Sequence, residues 1–222
     1  MDLLDLKKQV IREEYGISSE YGKIFSFIDF SNVNKWFEKD TQDWNKKLIG
    51  KDEKITIDID KLKSFSDIFS EKTRLYYGED PKNVGSLSFT NALRIVFGTR
   101  NVITKDLQKI KHYLTGEDQR KFQKYFRTDR DGKEYVEIRK CNFDVEISVD
   151  ALKMLVHYES FCIFSGDADF VYLNNFLKRK GKKVIIIKGG FITKKLRDSA
   201  NLVINAQDIK KHIARVEKQK PD

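Results

Sequence analysis

The 222-residue sequence predicts an α/β protein: an open parallel sheet flanked by helices, with an insertion in the middle of the chain. Three observations predict it. Apolar runs at residues 24–28, 161–164 and 184–187 lack the alternation of a half-exposed strand, so they belong in a sheet covered on both faces. From residue 143 onward, strand-like and amphipathic segments alternate with short joins, as in right-handed crossovers between parallel strands. Two of the runs stop at acids, the first at Asp29 and the second just before Asp167 and Asp169. In Rossmann-like sheets such strand ends line the ligand crevice.

In chain order, Leu3, Leu4, Leu6, Val10 and Ile11 form an apolar stripe opposite charged residues. They predict a helix in an N-terminal arm, residues 1–22, packed on the domain or serving an oligomer contact that would make a homodimer. The domain itself spans 23–217. Its first strand covers 23–30, and Trp36, Phe37 and Trp44 then recur at roughly helical spacing. Asp60 is placed to cap a short helix carrying Leu62, Phe65, Ile68 and Phe69. Residues 74–77 read as a second strand, closed by a turn at 78–81.

The stretch 85–140 reads as the insertion. Within it, 87–96 is helical and 101–104 a short strand, and Leu107, Ile110 and Leu114 suit a further helix. The charged run 127–133 carries Asp131-Gly132 and leads into 135–138, predicting a basic β-hairpin. Then follow a helix over 143–158 with Ile147, Leu152, Leu155 and Val156 inward, and the strand 161–164. A helix over 170–180 is stopped by Gly181. Strands at 184–187 and 202–204 and a closing helix over 206–217, with Ile209, Ile213 and Val216 as its stripe, end the domain. Residues 218–222 are a tail.

Lys and Arg number 43 against 34 Asp and Glu, a net charge of +9, which favours polyanionic partners, nucleic acid foremost. A lysine-rich composition bias is the plainer alternative. The two cysteines, Cys141 and Cys162, form no metal motif and no disulfide framework. No signal-peptide pattern and no run of membrane-spanning length appear, which predicts a cytoplasmic protein with no membrane partner. His112, His157 and His212 are scattered and have no triad or metal-ligand partner at useful spacing.

The acids carry the chemistry. Asp29, Asp167 and Asp169 fall at the carboxyl edge of the sheet. Asp144 joins them because a crossover helix begins on that edge, and Asp150 lies two turns further in, on one face with Glu146. Carboxylates so crowded repel one another, and a hard divalent cation relieves the repulsion. Each acid also has a structural reading. Asp29 can cap a turn through Ser31 and Asn32, Asp144 can cap its helix, and Asp150 can pair with Lys153 or Lys140. Asp167 and Asp169 can form an Asx-turn. An acid cluster on a basic body suits hydrolysis of phosphodiesters.

Phe27-Ile28-Asp29-Phe30-Ser31-Asn32 resembles the opening of the NYN domain, a branch of the PIN-like nucleases. The helix start 142–152, the segment Ser165-Gly166-Asp167-Ala168-Asp169-Phe170 and the strand opened by Gly181 are similar to its later blocks, in the same order. The resemblance covers 23–34 and 142 to about 210. It implies a metal-dependent endoribonuclease using Mg²⁺ or Mn²⁺ and acting on single-stranded or looped RNA. Asp29, Asp144 and Asp167 would be core metal ligands or water-positioning acids, with Asp169 among the ligands and Asp150 completing the cluster. Asn32 would orient Asp29 or contact a phosphate, and Ser165 would hydrogen-bond a carboxylate or phosphate. Lys188, Lys194 and Lys195, on the same edge, are candidates for RNA contact, although Lys188-Gly189-Gly190 also reads as a simple glycine turn. Two other functions compete: an RNA- or protein-binding module that has lost its chemistry, and a dehalogenase-like phosphatase suggested by Asp167-Ala168-Asp169.

Overall fold

The computed structural model describes residues 3–113 and 126–218. The chain begins with α1 (Leu3–Glu14), β1 (Ile24–Asp29), α2 (Phe30–Val33), β2 (Glu53–Ile57), α3 (Ile59–Ser66) and β3 (Ser70–Glu79). Next come α4 (Val84–Phe97), β4 (Val102–Asp106), β5 (Gln108–Tyr113), β6 (Arg127–Thr128) and β7 (Glu134–Lys140). The last part holds α5 (Asp144–Lys153), β8 (Ser160–Phe164), α6 (Val171–Arg179), β9 (Lys183–Lys188) and α7 (Lys194–Asp198). It closes with β10 (Leu202–Asn205), α8 (Ala206–Ile213) and β11 (Ala214–Lys218).

Six strands form one parallel sheet in the order β10-β9-β8-β1-β3-β4. The chain therefore builds outward from β1 in one direction, then returns to β1 and builds outward in the other. The reversal falls between β1 and β8, and a crevice opens at the carboxyl ends of strands on either side of such a switch. β1 is buried along its whole length. Ile24 and Ile28 face one hydrophobic layer, with Leu62, Phe65, Leu93, Ile209 and Ile213 from α3, α4 and α8. Phe25 and Phe27 face the other, with Ile147, Ala151, Leu173, Leu177 and Leu196 from α5, α6 and α7. A fully buried large apolar side chain contributes roughly 1.5–3 kcal/mol. The largely apolar interiors of β1, β8 and β9 thus fix the strands that aim the rim residues.

Local signals explain the ends. Asp58, rather than Asp60, caps α3: its Oδ1 accepts from the amides of Asp60 and Lys61, 3.1 Å each. Gly181 follows α6 with φ +76° and donates to the Lys178 carbonyl, a left-handed stop that glycine adopts at little cost. α1 packs Ile11 against the core and leaves Leu6 and Val10 exposed.

The fold corrects several expectations. Leu107 and Ile110 are not helical: 108–113 is a strand, with Ile110 opposite Ile138 of β7. Leu114 lies outside the described residues, as do residues 219–222 of the tail. The closing helix stops at Ile213, and Ala214–Lys218 pairs antiparallel with β2, Val216 opposite Ile55. Leu152 and Val156 are exposed, while Ala151 and Met154 are buried; α5 packs its Ile147–Ala151 face and gives way to a 3₁₀ turn at Leu155–His157. Trp36 and Phe37 follow a four-residue helix and lie in turns. Ile68 and Phe69 lie past the end of α3, and β3 runs on through Gly78 and Glu79. Of the stretch 85–140, α4 and β4 belong to the main layers, and the three-stranded antiparallel sheet β5-β7-β6 stands apart.

Candidate functional site

Asp29 is the last residue of β1 and the N-cap of α2. Its Oδ1 accepts from the Ser31 amide (3.1 Å), the Ser31 hydroxyl (2.6 Å) and the Asn32 amide (3.4 Å). Among the described residues its Oδ2 accepts no hydrogen bond. Burial raises its pKa above the ordinary carboxylate value, against the pull of the Ser31 and Asn32 hydrogen bonds, and Asp167 adds to the rise.

Across the switch, Ser165 follows β8 and is buried; its Oγ accepts the Asp167 amide at 3.2 Å. Asp167 in turn accepts the Asp169 amide at 3.0 Å, capping the 3₁₀ turn Ala168–Phe170 that opens α6. Asn32 ties the two loops together. Its Oδ1 accepts from the Gly166 amide (3.3 Å) and from Trp36 Nε1 (2.9 Å). The Trp36 ring lies parallel to Phe164, with centroids 6.4 Å apart, and against Gly189, where a Cβ would sit 2.4 Å from Trp36 Cδ1. Only glycine fits there.

Asp144 opens α5, and its amide donates to Asn142 Oδ1 at 2.8 Å. Burial raises the pKa of its carboxyl, and Asp167, Asp169 and Asp29 raise it further. One carboxylate oxygen from each of Asp144, Asp167 and Asp169 lies within 4.8 Å of the others. Asp29 stands just outside this trio but shares with Asp167 a cleft of about 450 Å³, walled by Asn32, Lys35, Trp36, Lys39 and Gly189. Among the described residues no lysine or arginine forms an ion pair with any of the four acids. Lys105 is engaged with Glu146 (2.7 Å) and Lys188 with the Gly190 carbonyl (2.6 Å), while Lys35 and Lys39 line the cleft without pairing to any of the four acids. The trio is thus a set of hard oxygen donors with which no described lysine or arginine forms an ion pair, and such a set could hold a metal ion.

Asp150 is not brought into this group. Its carboxylate pairs with Arg74 and accepts from Tyr76 Oη at 2.8 Å, bolting α5 to β3. Lys194 and Lys195 are exposed at the start of α7, where Thr193 caps the helix by accepting the Leu196 amide. Sequence reasoning missed Trp36, Gly189, Lys35 and Lys39. One signal was present: Trp36 stands four residues after Asn32, the spacing that lets a side chain reach back by one turn.

The NYN domain family model matches residues 23–207. The low amplitude and bright protein LabA of Synechococcus elongatus is 28% identical over 102 residues, which cover 46% of this chain and 54% of that protein. The chain therefore spans about half the length of that curated relative. Among solved structures, a protein of unknown function from Vibrio parahaemolyticus has the same fold, with a TM-score of 0.55 at 19% identity, covering 85% of this chain and 94% of that one. No helix among the described residues is long and apolar enough to cross a membrane.

Proposed function

The chain belongs to the NYN domain family of the PIN-like nuclease superfamily, and on that premise we propose that it is a metal-dependent endoribonuclease. The observation that carries this reading is the unpaired trio Asp144, Asp167 and Asp169, gathered within 4.8 Å at the switch of the sheet. These three carboxylates would hold Mg²⁺ or Mn²⁺, with Asp29 beside them. A bound ion of this kind neutralises charge on a phosphodiester and makes water a better nucleophile.

The remaining roles belong to the chain. Asp29 keeps Oδ2 for a water in the cleft, and its burial-raised pKa makes it a better proton acceptor than an exposed aspartate. Ser165 fixes Asp167 through the Asp167 amide. Asn32 is a positioning residue: its carbonyl oxygen is committed to Gly166 and Trp36, and it holds the β1 and β8 loops in register. Lys188, Lys194 and Lys195 lie on the edge where RNA phosphates approach. Asp150 is structural in this reading, since its carboxylate is used by Arg74 and Tyr76. Unpaired RNA is the substrate a rim-type cleft accepts most easily.

A second reading has its own observation. Asp29 spends three hydrogen bonds as a turn cap and stands outside the trio, which suits a binding module that has lost its chemistry. Incubation of the purified protein with labelled unstructured RNA and Mn²⁺ separates the two. The nuclease reading expects fragments from the wild type, and intact RNA with EDTA, with Asp29→Asn and with Asp167→Asn. Equal survival of the RNA under all four conditions rejects it.

A further inference from the structure

We propose that the small sheet β5-β7-β6 is an arm that holds single-stranded RNA beside the acid rim. This deepens the nuclease reading and rests on it for the choice of ligand. Both roots of the arm lie on the edge that carries the acids. β4 ends there at Asp106, and the Leu107 amide donates to the Glu79 carbonyl at 2.8 Å, pinning the first root to the end of β3. The second root returns at Lys140, and Cys141 packs against Gly78, four and three residues before Asp144 respectively.

The arm does little for the main core. Its buried residues, Tyr135 and Val136, belong to neither of the two hydrophobic layers. Its charge points elsewhere. Its described residues, 108–113 and 126–140, carry seven Lys and Arg against four Asp and Glu, a net +3 of the chain's +9. Strand alternation puts Lys109, Lys111 and Tyr113 on one face, and all three are exposed. On that face Tyr113 is the exposed ring; the buried Tyr135, its direct cross-strand partner, backs it with ring centroids 6.0 Å apart, and Lys111 Nζ sits 4.5 Å from the Tyr135 ring centre. Arg127, on β6 beside Tyr135, adds a third cation, exposed and paired with Glu137 at 2.8 Å. An exposed ring such as Tyr113 that can stack on an unpaired base, flanked by cations that meet phosphates, is the combination with which proteins bind single strands without reading sequence. A duplex offers no free base faces to such a surface.

The test is fluorescence anisotropy with a labelled oligouridine of roughly 20 nucleotides, longer than a typical single-strand site. EDTA is present so that binding is read without turnover. Lys109→Ala/Lys111→Ala/Tyr113→Ala/Arg127→Ala is compared with the wild type and with Lys178→Ala/Lys180→Ala at the far end of α6. The arm variant should bind about tenfold more weakly, and its slope of log affinity against log salt should fall by about 2, three cations at about 0.7 each. The α6 variant should match the wild type. If the arm variant loses its thermal transition, Lys109→Gln/Lys111→Gln takes its place, with a slope change of about 1.4. Wild-type affinity and slope in the arm variant, or no binding by the wild type, overturns the proposal. Binding that depends on the arm while RNA stays intact with Mn²⁺ would reject the nuclease reading and leave the arm standing.

Discussion

Replacing Asp167 by Asn should make the metal-free protein more stable and the metal-loaded protein less so. In the trio, Asp167 has Asp144 and Asp169 oxygens within 4.8 Å. Each such pair repels by about 0.9 kcal/mol in a water-like medium, and by several-fold more at low dielectric. The trio is partly exposed, so screening favours the lower figure, and the two pairs together come to about 1–2 kcal/mol. Asn retains an oxygen for the Asp169 amide, so the cap costs only a few tenths of a kcal/mol. For a chain of this size, that converts to a Tm higher by about 2–6 °C in EDTA. With Mn²⁺ at a hundred times its Kd, the wild type gains about 2.7 kcal/mol and the variant, having lost a ligand, much less. Thermal unfolding of both proteins, in EDTA and in saturating MnCl₂, therefore shows the stability order reversing. A variant less stable than the wild type in both buffers would mean that Asp167 is merely a turn cap and that the repulsion is not there.

Other outcomes follow from the same geometry. Asp150→Ala leaves Arg74 and the buried Tyr76 hydroxyl without their partner. It should cost about 2–3 kcal/mol of stability while leaving RNA turnover per folded molecule unchanged; a turnover loss equal to that of Asp167→Asn would return Asp150 to the chemistry. Gly189→Ala drives a methyl into Trp36. It should cost about 1–3 kcal/mol and shift the tryptophan emission to the red, whereas unchanged emission would mean that the contact is loose. Burial holds the Asp29 and Asp144 carboxyls above 3.8, with neighbouring acids adding to the rise. The folded state then binds more protons than the unfolded one between 3.8 and the raised values, so metal-free stability falls as pH rises through that window. Protons compete with the ion over the same range, so the Mn²⁺-induced rise in Tm should shrink as pH falls from neutrality. A rise independent of pH would separate the ion from these two acids.

The parts of this molecule written in local sequence were legible, and the parts written in long-range pairing were not. β1, β8 and β9 announce themselves because a strand covered on both faces needs no polar residue in it. Asp29 and Asp167 follow from where those strands end. The contact of Asp150 with Arg74 was not legible, because the two are 76 residues apart and helix spacing cannot reveal it. The β2–β11 pair escaped for a related reason. Val216 continues the stripe of Ile209 and Ile213, so the run fits a helix until Ile55 and Ile57 in β2 offer a better partner. Leu107 and Ile110 likewise match a helical spacing by coincidence, while the alternation of Lys109 and Lys111 with Ile110 and His112 matches a strand. Trp36 and Gly189 are joined only through the fold, so neither residue's neighbours hint at the other.

The most direct measurement is anomalous diffraction from a crystal grown with Mn²⁺. The account predicts a manganese peak bound by Asp144, Asp167 and Asp169, next to Asp29 and absent from crystals of Asp167→Asn. A saturated crystal with no peak at the trio, or a peak that persists in the variant, would contradict it.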